Sequence, residues 1–185
     1  MELPKTESER LILRSLTISD AEELFGFRTR NAEFFKQWSP EYSKDYFDIN
    51  FHRSNLVNIE SDIIKGTLVQ FGVFLKNSAE KMMGSVVFSN IVAGPFLSCF
   101  LGYRIDKVEI NKGYGTEAVK AGCEFMFGQR KLHRIEANII PRNTASIKTI
   151  EKAGFLCEGI SKKYLKINGV WEDHLHYVLL NEAIE

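Results

Sequence analysis

Three observations predict an α/β fold with a mixed sheet. Strand-length runs of β-branched and aromatic residues alternate with segments of helical period, no linker, repeat or low-complexity stretch interrupts them, and the chain has 185 residues. That length is near the usual size of one domain, so residues 1–185 are expected to form a single unit.

The elements follow in order. Residues 9–14 (ERLILR) read as a strand, and Thr17 to Glu23 supplies capping residues and first-turn acids for a helix starting near Asp20. That helix is expected to end near Arg30, before an aromatic loop from Asn31 through Trp38 to Pro40. Phe47, Phe51, Leu56, Ile59 and Ile63 recur at helical spacing, so a second helix or a broken pair spans residues 43–65 and stops at Gly66. Residues 67–75, 83–92 and 96–105 read as an antiparallel meander. Gly113-Tyr114-Gly115 then opens a helix to about Gln129, with Glu117, Lys120 and Glu124 on its polar stripe. Residues 133–140 form a strand, 143–153 a helix ended by Gly154, and Phe155 begins a strand again. Asn168-Gly169 is a two-residue hairpin signal between the last two alternating runs. The count is seven strands and four helices.

Composition excludes several functions. Twenty-four basic residues balance twenty-four acidic ones, which leaves no global footprint for direct nucleic-acid binding. No apolar run approaches the roughly 20 residues that span a bilayer, and the start lacks a secretory pattern, so no membrane association and a cytoplasmic location are expected. Cys99, Cys123 and Cys157 are odd in number, widely spaced and set among apolar neighbours, which predicts core filler and no metal site. His174 and His176 share a strand face, opposite Leu175, without an evident third ligand.

The chemistry lies in residues 98–118. A strand ends near Ile105, a polar connection follows, and Lys112-Gly113-Tyr114-Gly115-Thr116 leads into a helix. Glycines at a helix N-terminus let an anion approach unpaired amides where the helix dipole favours negative charge. Neither a dinucleotide fingerprint nor a P-loop is present.

This arrangement resembles the GNAT acetyltransferase superfamily, whose phosphate motif reads here Ile110-Asn111-Lys112-Gly113-Tyr114-Gly115, with Ile110 where Arg or Gln is usual. A second block, from Ile135 through Asn143 and Ser146 to Lys152, Gly154 and Phe155, looks like the family's later strand and helix. With Gly159, Asn168-Gly169, Trp171 and Asp173, nearly the whole chain is similar to the branch of RimJ/RimL-type ribosomal-protein N-terminal acetyltransferases.

The resemblance implies a GNAT fold with splayed parallel strands, no metal, and acetyl-CoA as co-substrate. Tyr103, Arg104 and Ile105 would pair through their backbone with the pantetheine arm, and Asn111, Lys112, Gly113, Tyr114, Gly115 and Thr116 would hold the pyrophosphate. Asn143 and Ser146 fall roughly 60° apart on one helix face. Capping accounts for both structurally, while the resemblance makes Asn143 a ligand of the pantetheine arm and Ser146 the group that orients or protonates the leaving thiolate. Trp38 is either a plug under the first helices or a wall of the acceptor pocket, beside Glu41 and Asp173.

Where many relatives have a strand Glu, this chain has Phe100, and Leu165 stands at a second position where some carry Glu. Glu41, Glu172, Asp173 or water remain as bases. A site without a strong base suits an α-amine, whose neutral form costs roughly 3.7 kcal/mol less to present than that of lysine. The expected activity is therefore direct acetyl transfer to a protein or peptide N-terminal amine, with a ribosomal-protein N-terminus as the partner the branch implies. A small amine (antibiotic, polyamine or amino acid) as acceptor and a non-catalytic acetyl-CoA sensor are the alternatives. Oligomeric state, a homodimer included, is left open by the sequence.

Overall fold

A computed structural model describes residues 2–184. Eight strands form one mixed sheet in the order β1-β2-β3-β4-β5-β6-β8-β7. They are β1 (Lys5–Glu7), β2 (Leu11–Arg14), β3 (Val69–Leu75), β4 (Ser78–Val92), β5 (Ser98–Ile105), β6 (Arg134–Ile139), β7 (Leu156–Ile167) and β8 (Val170–Leu180). The helices are α1 (Ala21–Lys36), α2 (Ile49–Lys65), α3 (Tyr114–Arg130) and α4 (Thr144–Lys152). All pairings are antiparallel except β5 with β6.

The extra strand is β1, three residues with no hydrophobic alternation, which pairs with β2 from Lys5 opposite Arg14 to Glu7 opposite Ile12. The larger correction concerns α1. It continues six residues past Arg30, so Asn31 to Lys36 is helix and not loop. Asn31 is fully buried there: its side-chain amide donates to the Phe27 carbonyl one turn back, and its Oδ1 accepts the Lys107 amide. A polar residue that reads as a breaker is thus satisfied inside the helix. The second helical region is the broken pair: a 3₁₀ turn at Lys44–Phe47 precedes α2, whose N-cap Asp48 accepts from the Asn50 amide at 2.9 Å.

Two cores sandwich the sheet. On one face α3 and α4 pack against Leu11, Phe71, Val73, Val86, Phe88 and Ile135; on the other, Leu24 and Phe27 of α1 and Leu56 of α2 pack against Leu16, Phe74 and Met82. Cys99 and Cys123 lie in the first core, where burial raises the Cys99 thiol pKa to about 12. Cys157 is exposed, contrary to the core role expected of it, because β7 is the sheet's outer strand and places it outside both clusters. No helix among the described residues is long and apolar enough to cross a membrane.

Candidate active site

The parallel register of β5 and β6 runs from Ser98 opposite Arg134 to Phe100 opposite Glu136 and stops there. β5 then follows β4 to Ile105, while β6 follows β8 to Ile139. The strands diverge, and a cleft of about 930 Å³ opens between them. Tyr103, Arg104, Ile105, Asn111, Gly113, Tyr114, Gly115, Thr116, Asn143, Ser146 and Trp38 all line it. Lys112, Glu41 and Asp173 do not.

Alternation along β5 divides this cleft into two sides. Tyr103 points toward α4, where its hydroxyl lies 2.7 Å from Ser146 Oγ and donates to the Ser146 carbonyl at 3.1 Å. Burial pushes the Tyr103 pKa up, more than hydrogen bonds with Ser146 and Thr149 pull it down, so the phenol stays protonated at neutral pH. Asn143 caps α4 by accepting the Ser146 amide at 3.2 Å. The side chain of Tyr103 thus joins the site through Ser146, a contact that a role limited to its backbone does not anticipate.

The turn before α3 completes this side. Gly113 is the N-cap with φ +82°, a left-handed conformation suited to glycine, and Asn111 also has positive φ. Arg10 braces the turn from behind: it donates to the Lys112 carbonyl at 3.2 Å, pairs with Glu117 and stacks 4.5 Å from the Tyr114 ring centroid. Burial raises the Glu117 pKa, yet hydrogen bonds from Arg10 and Ser8 outweigh it and hold the carboxyl below its ordinary value. The Lys112 ammonium is held by Glu109 at 2.8 Å, and Lys148 and Lys152 of α4 bring positive charge to the cleft instead.

The opposite side faces α1. Arg104 lies 5.4 Å from the Phe35 ring centroid and donates to Ser39 Oγ at 3.1 Å. Trp38 lines the rim, with the Arg142 guanidinium 5.0 Å from its ring; Arg142 is in turn paired with Glu172 at 2.6 Å. Asn168 of the β7–β8 turn donates to the Lys36 carbonyl at 2.6 Å and fastens that hairpin to the end of α1. Glu172 is therefore engaged at the rim, Asp173 is paired with Lys162 at 2.8 Å, and Glu41 is exposed outside the cleft.

His174 and Arg28 also line this side, and the sequence reading did not assign them there. His174 is 4% exposed, and its Nδ1 lies 3.1 Å from the Glu172 carbonyl. A carbonyl only accepts, so Nδ1 carries the hydrogen and Nε2 keeps its lone pair. Burial lowers the His174 pKa, which keeps the ring neutral at pH 7. Its alternation with Leu175 marked the face; pairing it with His176 as a metal ligand obscured its use. Among the described residues no group of three or more His, Cys, Asp or Glu could hold a metal ion.

This geometry has known counterparts. The acetyltransferase (GNAT) domain family matches residues 10–156. The chain is similar to the probable N-acetyltransferase YjcK of Bacillus subtilis, 38% identical over 175 residues that cover 95% of this chain and 96% of that one. It also superposes on the ribosomal-protein-S5-alanine acetyltransferase of Vibrio fischeri with a TM-score of 0.92 and 34% identity, covering 98% of this chain and 99% of the other. Mycobacterium smegmatis RimJ, solved in complex with CoA-disulfide, shares the fold with a TM-score of 0.88 at 24% identity, over 98% and 88% of the two chains.

Proposed function

Because the chain belongs to the GNAT acetyltransferase family and is an N-acetyltransferase of that type, we propose that it transfers acetyl from acetyl-CoA to the α-amine of a protein or peptide N-terminus, a ribosomal protein among the candidates. The observation that carries this reading is the two-sided cleft, with the hydroxyl pair Tyr103–Ser146 on one side and neutral His174 on the other.

The residues fit the co-substrate. Past Phe100 the edge of β5 has no β6 partner, so those backbone groups of residues 101–105 that do not bond to β4 face the gap and can pair with an extended amide-bearing chain. The amides at the start of α3, released by the left-handed Gly113, suit a pyrophosphate, and Lys148 and Lys152 add charge. Acetyl-CoA supplies an acetyl group activated as a thioester. The protein's own residues manage the protons. His174 Nε2 takes one from the attacking amine and releases it to solvent, and Ser146 Oγ, positioned by the Tyr103 hydroxyl, gives one to the departing sulfur and regains it from solvent in the open cleft. Backbone N–H groups at the open edge of β5 face the site where negative charge develops on the carbonyl oxygen. A histidine that burial holds below its ordinary pKa is a weak base, and it suits an α-amine of pKa about 7.7 far better than a lysine at about 10.4.

The test is a thiol-release assay over peptides differing in their first residue, alongside lysine-bearing blocked peptides and small amines. Peptides with free N-termini are expected to give the highest kcat/KM, and a preference for small amines over every peptide overturns the assignment. Ser146→Ala is expected to lower kcat about 100-fold or more while acetyl-CoA binding stays within about threefold. An unchanged kcat would remove Ser146 from the chemistry.

A further inference from the structure

Resting on the N-terminal reading above, we infer that the acceptor peptide carries an acidic side chain within its first few residues, held by Arg28 and Arg104. Six of the seven other arginines reach a carboxylate, Arg10 with Glu117, Arg14 with Asp20, Arg30 with Asp106, Arg53 with Glu22, Arg134 with Glu158 and Arg142 with Glu172, and the seventh, Arg130, ends α3 outside the cleft. Arg28 and Arg104 line the acceptor side of the cleft, and among the described residues no Asp or Glu is paired with either.

Their partners are neutral. Arg28 donates to His52 Nδ1 at 3.1 Å, and the His52 Nε2–H in turn donates to the Tyr46 carbonyl at 2.8 Å. That chain fixes a neutral His52, whose pKa burial lowers. Arg104 has the Ser39 hydroxyl and the face of Phe35. Burial pulls the Arg28 pKa down, and the like charge of Arg104 adds to this. Two cations near each other in a partly dry cleft without a counter-charge are unfavourable, and a carboxylate placed there relieves both desolvation and repulsion. Among the described residues the one carboxylate lining the cleft, Glu109, is engaged by Lys112. On an unmodified polypeptide N-terminus the anions available are Asp and Glu side chains, so sequence preference there is the expected consequence.

The experiment measures kcat/KM for peptides of one first residue with Glu, Gln or Lys at position two, three or four. At one of these positions Glu is expected to exceed Gln by roughly tenfold or more, with Lys lowest, and added salt should erode the advantage. Arg104→Gln should reduce the Glu/Gln ratio to about threefold or less and Arg104→Lys should retain part of it, while acetyl-CoA, which uses only the backbone of residue 104, should bind each within about threefold of wild type. Arg28→Gln provides a second arm, and the wild-type salt dependence needs no variant to fold. Equal rates for Glu and Gln peptides, or a ratio that survives both arginine replacements, overturns the inference while leaving N-terminal acetylation in place. If no peptide reacts, glutamate against glutamine as free amines separates the cases. Reaction of either one fails the N-terminal reading, and only a carboxylate preference that falls in Arg104→Gln keeps the arginines as the anion site.

Discussion

At the scale of single residues, the site depends on which polar atoms are already committed. His174 spends Nδ1 on the Glu172 carbonyl, which leaves Nε2 for the acceptor, so His174→Gln is expected to lower kcat about 100-fold or more with little change in acetyl-CoA binding. The sign with pH follows from burial, which lowers the His174 pKa: the working form is neutral, and kcat at saturating peptide should fall as pH drops below that value, itself under about 6.5, whereas kcat/KM also falls below the α-amine's own pKa of about 7.7. A pH profile of His174→Gln lacking that acid limb would confirm the assignment, and one identical to wild type would refute it. Tyr103→Phe should lower kcat only about threefold to tenfold, since Ser146 keeps its place at the α4 N-terminus and loses one hydrogen bond. The Asn143 cap, the place of Ser146 on the same helix face and the glycine turn were legible from spacing, because capping and helix starts are local, while the roles of Asn143 and Ser146 were implied by the resemblance. Arg28 was not, because its meaning lies in an absent partner, and absence across 76 residues from Arg104 leaves no trace in a string.

At the scale of elements, helix ends were read well where glycine or a cap decided them and poorly where tertiary bonds did. α2 and α4 end as expected, whereas α1 runs on because Asn31 bonds within the helix and to the Lys107 amide. A neighbouring bond holds the same junction, with Asp106 accepting from Arg30 at 2.6 Å. Burial pushes the Asp106 pKa up, but hydrogen bonds from Arg30 and Asn31 and the Val108 amide leave it below its ordinary value. Together these contacts register α1 against the exit of β5, which positions Arg28 opposite Arg104. β4 sets the other flank through Gly84. A Cβ there would lie 2.6 Å from the Arg104 carbonyl, a backbone atom that moves only with β5 itself. Gly84→Ala is therefore expected to destabilise by about 1–3 kcal/mol and to weaken acetyl-CoA binding, measured by chemical denaturation and by titration. Stability within experimental error of wild type would show that β5 shifts freely.

At the scale of the whole molecule, the mixed sheet and its helices were evident from the order of patterns, while its division at β5 and β6 was not readable from periodicity. The two buried histidines give the fold an acid weakness of its own. Burial lowers the pKa of His52 and of His174, so in the unfolded chain both rise to about 6.5. Their contribution is complete above about 6.5 and is lost as pH falls from there toward the lower folded values. Melting temperature should decline over that interval, by roughly 2–4 °C per kcal/mol for a chain of this length. His52→Gln together with His174→Gln should flatten the decline, and a melting temperature constant from pH 7 to 5 would contradict it. The diverging strands also have a kinetic signature. Along residues 101–105 alternate amides turn toward the gap, where β6 no longer answers them. In deuterated solvent those amides should take up label early in the free enzyme, and the remainder, bonded to β4, late. Adding CoA should slow the early group alone, writing the alternation of one strand into an exchange record.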